Sequence, residues 1–148
     1  MSASSSSRSD YLNPLNSNLA YVITEKKGLP ISLACIFLLV GHRLGYSIEG
    51  CNFPGHFLTI APVENRRVVV DCYNSGRTIE ESDLAGMGGP VSMKDLLGLE
   101  CRSLEIIARV LRNLVNAYNQ AGNAPNARLM TEALSVMASE GVPRRQGL

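Results

Sequence analysis

His56 follows the rigid pair Pro54-Gly55, and Asp71 lies fifteen residues further on, where the pattern marks the next strand. An imidazole beside a carboxylate has its orientation and tautomer held, which is what proton transfer and nucleophile activation require. The nucleophile of such a site is best placed at a helix N-terminus, where the dipole and a neighbouring imidazole favour a thiolate. Upstream, Gly28-Leu29-Pro30-Ile31-Ser32-Leu33-Ala34 opens a helix, so the chain order is a helix start, then His56, then Asp71. Without a nucleophile the same pair binds a ligand, activates water or persists as a hydrogen-bonded core element.

The four cysteines, Cys35, Cys51, Cys72 and Cys101, include no C-x-x-C pair and read as free thiols. Cys51 stands five residues before His56 and is the first candidate for a substitute nucleophile; its plainer reading is a strand-edge thiol. Ser32 is the second candidate. Cys35 reads as a small buried hydrophobe, Cys72 as pointing to the strand face opposite Asp71, and Cys101 as preceding a helix. His42 suits the C-terminal end of its helix through the dipole. Cys51, His56, Asp71 and Cys72 match no zinc spacing, and Gly86 to Gly89 has neither the lysine nor the context of a phosphate loop. No metal or cofactor is expected.

The elements that must position these residues follow from periodicity and punctuation. Ser17 is placed to cap a helix to about Lys27 with Leu19, Val22 and Ile23 on one face, and Gly28 ends it. Pro30 suits the first turn of a helix to Leu44, whose apolar residues surround the axis and predict a central, buried helix. A short strand is expected near Tyr46 to Gly50. Phe57 to Ala61 and Arg66 to Cys72 read as a hairpin joined through Pro62-Val63-Glu64-Asn65, with the Phe53 to Phe57 segment carrying His56 into the first strand. Asn74 to Leu99 is loop-like apart from a short helix capped by Ser92. Leu104, Ile107, Leu111, Leu114 and Tyr118, then Ala127, Met130, Leu134 and Met137, mark two helices broken at Gly122-Asn123. Asn113-Leu114, Tyr118, Gly122, Ala127, Leu134 and Pro143 follow the spacing of one tetratricopeptide-like unit. Its apolar face is expected to cover the core.

The 148 residues are 45% hydrophobic and 18% charged, the balance of a globular chain. Fourteen basic and thirteen acidic residues nearly cancel, so no global field favours nucleic acid or an anionic membrane. The longest apolar run, Leu33 to Val40, is far shorter than the roughly 20 residues of a bilayer span. The Ser-rich residues 1–10 have no apolar centre and read as a disordered tail rather than a secretory signal, so the cytoplasm is the expected compartment.

Several short motifs in order carry a resemblance over most of the chain: Asn13-Pro14 with Asn16-Ser17, Gly28 to Ala34, Asn52-Phe53-Pro54-Gly55-His56-Phe57-Leu58, and Val70-Asp71-Cys72-Tyr73-Asn74-Ser75-Gly76. Together they resemble the bacterial transglutaminase-like family known for proteins named as invasion-gene transcriptional regulators, and residues 113–148 are similar to its single-repeat helical end. The resemblance implies an α+β fold: a papain-like or transglutaminase-like core, with a central helix on a small antiparallel sheet, and a C-terminal helical hairpin. The corresponding division is 1–10 tail, 11–100 core and 101–148 helical pair. Active members open the helix with Gly-x-Cys-x-Asp-x-Ala, and Gly28-x-Pro30-x-Ser32-x-Ala34 lies over that pattern with Pro30 at the nucleophile position. Proline has nothing to ionise, which closes the thioester route unless another residue substitutes. Ser32, about 200° round the helix, cannot simply take the thiol's place. His56 and Asp71 match the family's His and Asp. The resemblance therefore implies a non-catalytic binding or regulatory module for a protein or peptide partner, with Pro30, Ser32, Asn52 and Gly55 around a degenerate His56–Asp71 pair. The alternative is a hydrolase or acyl transferase using Cys51 or Ser32.

Overall fold

A computed structural model describes residues 11–88 and 92–139. The expectations placed on the Ser-rich tail, on Gly89-Pro90 and on Pro143 to Leu148 lie outside the described residues. The chain divides into two compact units, one spanning Leu29–Arg102 and one combining the chain before Leu29 with the chain from Ser103.

The first unit begins with α2 (Pro30–Arg43), after α1 (Leu19–Glu25) of the other unit, and continues through β1 (Glu49–Cys51), β2 (Leu58–Val63), β3 (Arg66–Asp71), β4 (Arg77–Ile79), α3 (Glu81–Met87), α4 (Met93–Leu97) and β5 (Glu100–Cys101). The strands form one antiparallel sheet in the order β4-β3-β2-β1-β5. Val69 pairs with Ile60 and Ile79, and Leu58 with Cys51, so these residues share one sheet face. With Phe53, Leu84 and Leu96 they form a buried apolar cluster. The helix α2 packs against β1 and β2.

Pro30 stands at the first turn of α2, as proline's missing donor and fixed φ favour. The helix is unevenly buried rather than buried all round. Ile31, Ala34 and Gly41 are buried, whereas Leu39 and Val40 are about half exposed. Close approach is built in at Gly41, where a Cβ would lie 2.2 Å from Ile48 Cδ1. Strand β1 starts at Glu49, later than the sequence suggests, and the β2–β3 turn is tighter. Val63 pairs with Arg66, leaving only Glu64-Asn65 to turn, with Glu64 at φ 52°. Strand β4 and helix α3 replace expected loop, and β5 follows just beyond it, where no strand was expected. Strands β4 and β5 have three and two residues, too short to show a period, and α3 is held by a capping box between Glu80 and Asp83.

The second unit holds a 3-10 turn at Pro14–Ser17, α1, α5 (Ser103–Gln120) and α6 (Ala124–Ser139). The cap of α1 is Asn18, whose side chain accepts from Tyr21 N–H at 3.2 Å; Ser17 belongs to the 3-10 turn instead. Within α1, Val22 is buried, Leu19 is partly buried and Ile23 is 61% exposed, so Ile23 drops out of the expected three-residue face. Helices α5 and α6 pack on each other, and the turn between them uses Gly122 at φ 68° and Asn123 as the cap accepting from Asn126 N–H. The described part of residues 11–28 thus groups with the helical pair.

Candidate functional site

Two buried rings, Phe53 and Phe57, anchor the chain on either side of His56. Between them Pro54-Gly55 turns, Gly55 at φ 70°, and His56 N–H closes the turn onto Phe53 O at 3.2 Å. His56 therefore sits in a turn just before β2, not within a strand as the sequence suggests. Its Nε2 lies 3.0 Å from Asp71 Oδ1. Asp71 is the last residue of β3 and is 1% exposed, while the His56 side chain keeps 18% of its surface.

The chain after Asp71 folds back on its carboxylate. Tyr73 and Asn74 each donate a backbone N–H to Oδ1 at 3.1 Å, and the Asn74 side-chain amide donates to Oδ2 at 2.6 Å. Arg77, opposite Asp71 in β4, brings Nε to 3.9 Å of Oδ2 and also reaches Asp83 at 3.6 Å. Burial by itself would raise the Asp71 pKa. The Asn74 amide, the Asn74 backbone N–H and the His56 imidazole outweigh it, and the carboxyl is held below its usual value. The Tyr73 ring, half exposed, stands edge-on to the His56 ring at 5.9 Å between centroids.

Asn74, Tyr73 and Arg77 are the site residues that sequence reasoning missed. The available signal was an aspartate three residues before an asparagine and a Ser-Gly pair, the composition of a side-chain-closed turn.

The other sequence candidates lie elsewhere. Cys51 points into the apolar cluster, fully buried, and its thiol donates to Leu96 O at 3.5 Å. Burial first, then the neighbouring Cys101, pushes its pKa up to about 12 against the opposing pull of Arg67. A thiol in that environment stays protonated at neutral pH. Pro30 and Ser32 are buried in the first turn of α2, and Ser32 Oγ has no hydrogen-bond partner among the described residues. Asn52 is exposed, with its backbone N–H on Leu99 O at 2.9 Å. Cys72 meets Thr59 Oγ1 at 3.6 Å; Thr59 pairs with Val70, which puts Cys72 on the face opposite Asp71. The arrangement holds an imidazole against an ionised, saturated carboxylate, with an aromatic rim.

A family model described as the transglutaminase-like superfamily matches residues 5–112. A UPF0162 protein of Xylella fastidiosa (strain 9a5c) is 36% identical over 123 residues, covering 77% of this chain and 43% of that protein. A UPF0162 protein of Pseudomonas aeruginosa is 32% identical over 116 residues, covering 75% and 42%. F-box only protein 21 of Mus musculus is 26% identical over 140 residues, covering 87% of this chain and 22% of that protein. The chain spans less than half the length of these curated relatives. No solved structure matches it. The matched region takes in α2, all of the sheet and the His56–Asp71 pair, and on it the chain belongs to the transglutaminase-like superfamily.

Proposed function

We propose that the chain is a non-catalytic transglutaminase-like module of the invasion-gene-regulator type, which binds a protein or peptide partner through a shallow polar site around His56. The observation that carries this reading is Pro30 at the helix start where active members have their cysteine. Two further facts support it. The Cys51 thiol is buried and raised, and the Ser32 hydroxyl is buried with no hydrogen-bond partner among the described residues to activate it, so neither substitute is poised as a nucleophile. The helical pair α5–α6 serves in this reading as a single tetratricopeptide-like unit that accompanies the core. Free thiols at all four cysteines suit a reducing compartment such as the cytoplasm. Among the described residues no helix is long and apolar enough to cross a membrane.

The competing reading is a hydrolase or acyl transferase using Cys51 or Ser32, favoured by the intact His56–Asp71 contact. A thiol-reactive probe at neutral pH separates the two. The module labels slowly at Cys51 whether or not His56 is present; rapid, stoichiometric labelling of Cys51 that disappears in His56→Ala overturns the non-catalytic reading.

A further inference from the structure

The Asp71 carboxylate is met by donors among the described residues. Oδ1 takes the backbone N–H groups of Tyr73 and Asn74, and Oδ2 takes the Asn74 amide at 2.6 Å. Only the nitrogen of that amide can face the carboxylate, since its oxygen would meet a second oxygen. An ionised carboxylate has no proton to give, so the His56 nitrogen 3.0 Å away carries the hydrogen of that contact. Arg77 differs in kind. Its Nε stands 3.9 Å from Oδ2, beyond hydrogen-bond reach, and adds charge without direction.

We propose that Asn74 is a positioning residue for His56: by binding Asp71 through both its backbone and its side chain, it fixes the carboxylate's direction and holds the neutral imidazole in the Nε2–H tautomer. The carboxylate is gripped on both oxygens by one residue, so it cannot rotate without breaking two bonds at once. The imidazole follows, with Nδ1 left as the acceptor nitrogen. This rests on the reading of His56 as the group that meets the partner, yet it concerns the ligand-free chain, so a failed binding experiment leaves its test intact.

The test is 15N NMR of the imidazoles in the full chain, with the pH raised until the spectrum no longer changes and both rings are in the neutral form. The second histidine, His42, is assigned through His42→Gln. The wild-type His56 is expected to show a pyridine-type Nδ1 and a pyrrole-type Nε2. Asn74→Ala keeps both backbone donors and moves the two signals toward the average of exchanging tautomers; Arg77→Ala leaves them at their wild-type positions. A pyrrole-type Nδ1 in the wild type overturns the proposal, and that measurement needs no variant to fold. So does an unchanged spectrum in Asn74→Ala, or an equal change in Arg77→Ala.

Discussion

Strand β3 carries an ionic constellation toward each end, and the two could hardly be built more differently. Near its start, Arg67 reaches across β2 to Glu49 of β1 at 2.6 Å and to Glu100 of β5, all three side chains being substantially exposed. At its end, Asp71 is buried and held by four donor groups from His56, Tyr73 and Asn74, with Arg77 further off. The first is made of long side chains that give up rotamer freedom in water to hold one geometry, so little net stability results. The second is made of short side chains and backbone groups already ordered by the turn, around a charge that water cannot rescue. Charge count does not distinguish the two ends; burial and the origin of the partners do.

The comparison breaks most readily at Asp71. Asp71→Ala leaves two backbone N–H groups, the Asn74 amide and the imidazole without their acceptor, and a loss of about 2 to 4 kcal/mol in denaturant unfolding is expected. A value indistinguishable from wild type removes the distinction between the ends. Acid is the next lever. The folded-state pKa of Asp71 is depressed, so its contribution is complete above the unfolded value of about 3.9 and is lost as pH falls through the lower folded value. Melting temperature should therefore fall with acidification below about pH 4 more steeply in wild type than in Asp71→Asn.

His56→Ala removes one donor of several and costs about 1 kcal/mol, with an unchanged circular dichroism spectrum. It separates fold from function, because partner binding should fall while the melt stays cooperative. The smallest effect belongs to the exposed end. Arg67→Ala should leave the melting temperature within measurement error, and any residual difference at low salt should vanish as ionic strength rises. A large, salt-insensitive loss there would mean that the exposed cluster pins β5 in a way its geometry does not suggest.

Much of this was legible in sequence, for local reasons. Pro30 and Gly45 bracket α2, two short apolar runs separated by a polar turn mark the β2–β3 hairpin, and Ser92 caps α4 through Asp95 N–H as its type suggests. The His56–Asp71 contact was readable because the hairpin that joins the two residues is local. What was not readable depends on tertiary context. Nothing in the residue types separates Cys51 at the edge of a strand from Cys51 under α4, and only the second places its thiol against Leu96 O. Ser17 and Asn18 are adjacent residues of equal capping ability, and the 3-10 turn decides between them. Leu39 lies two turns beyond the buried Ser32 on the same side of α2, so its exposure depends on what packs along the helix, which an apolar run around the whole axis does not tell.

The contact between Gly41 and Ile48 means that these two positions share a single volume. A methyl group at 41 would overlap the Ile48 side chain, and α2 cannot back away without lifting its other turns from β1 and β2. A larger residue at 41 therefore requires the end of the Ile48 side chain to turn away or to shorten. Among divergent relatives that keep this close approach, substitutions at 41 and 48 should be inherited as a pair more often than singly, larger at one with smaller at the other.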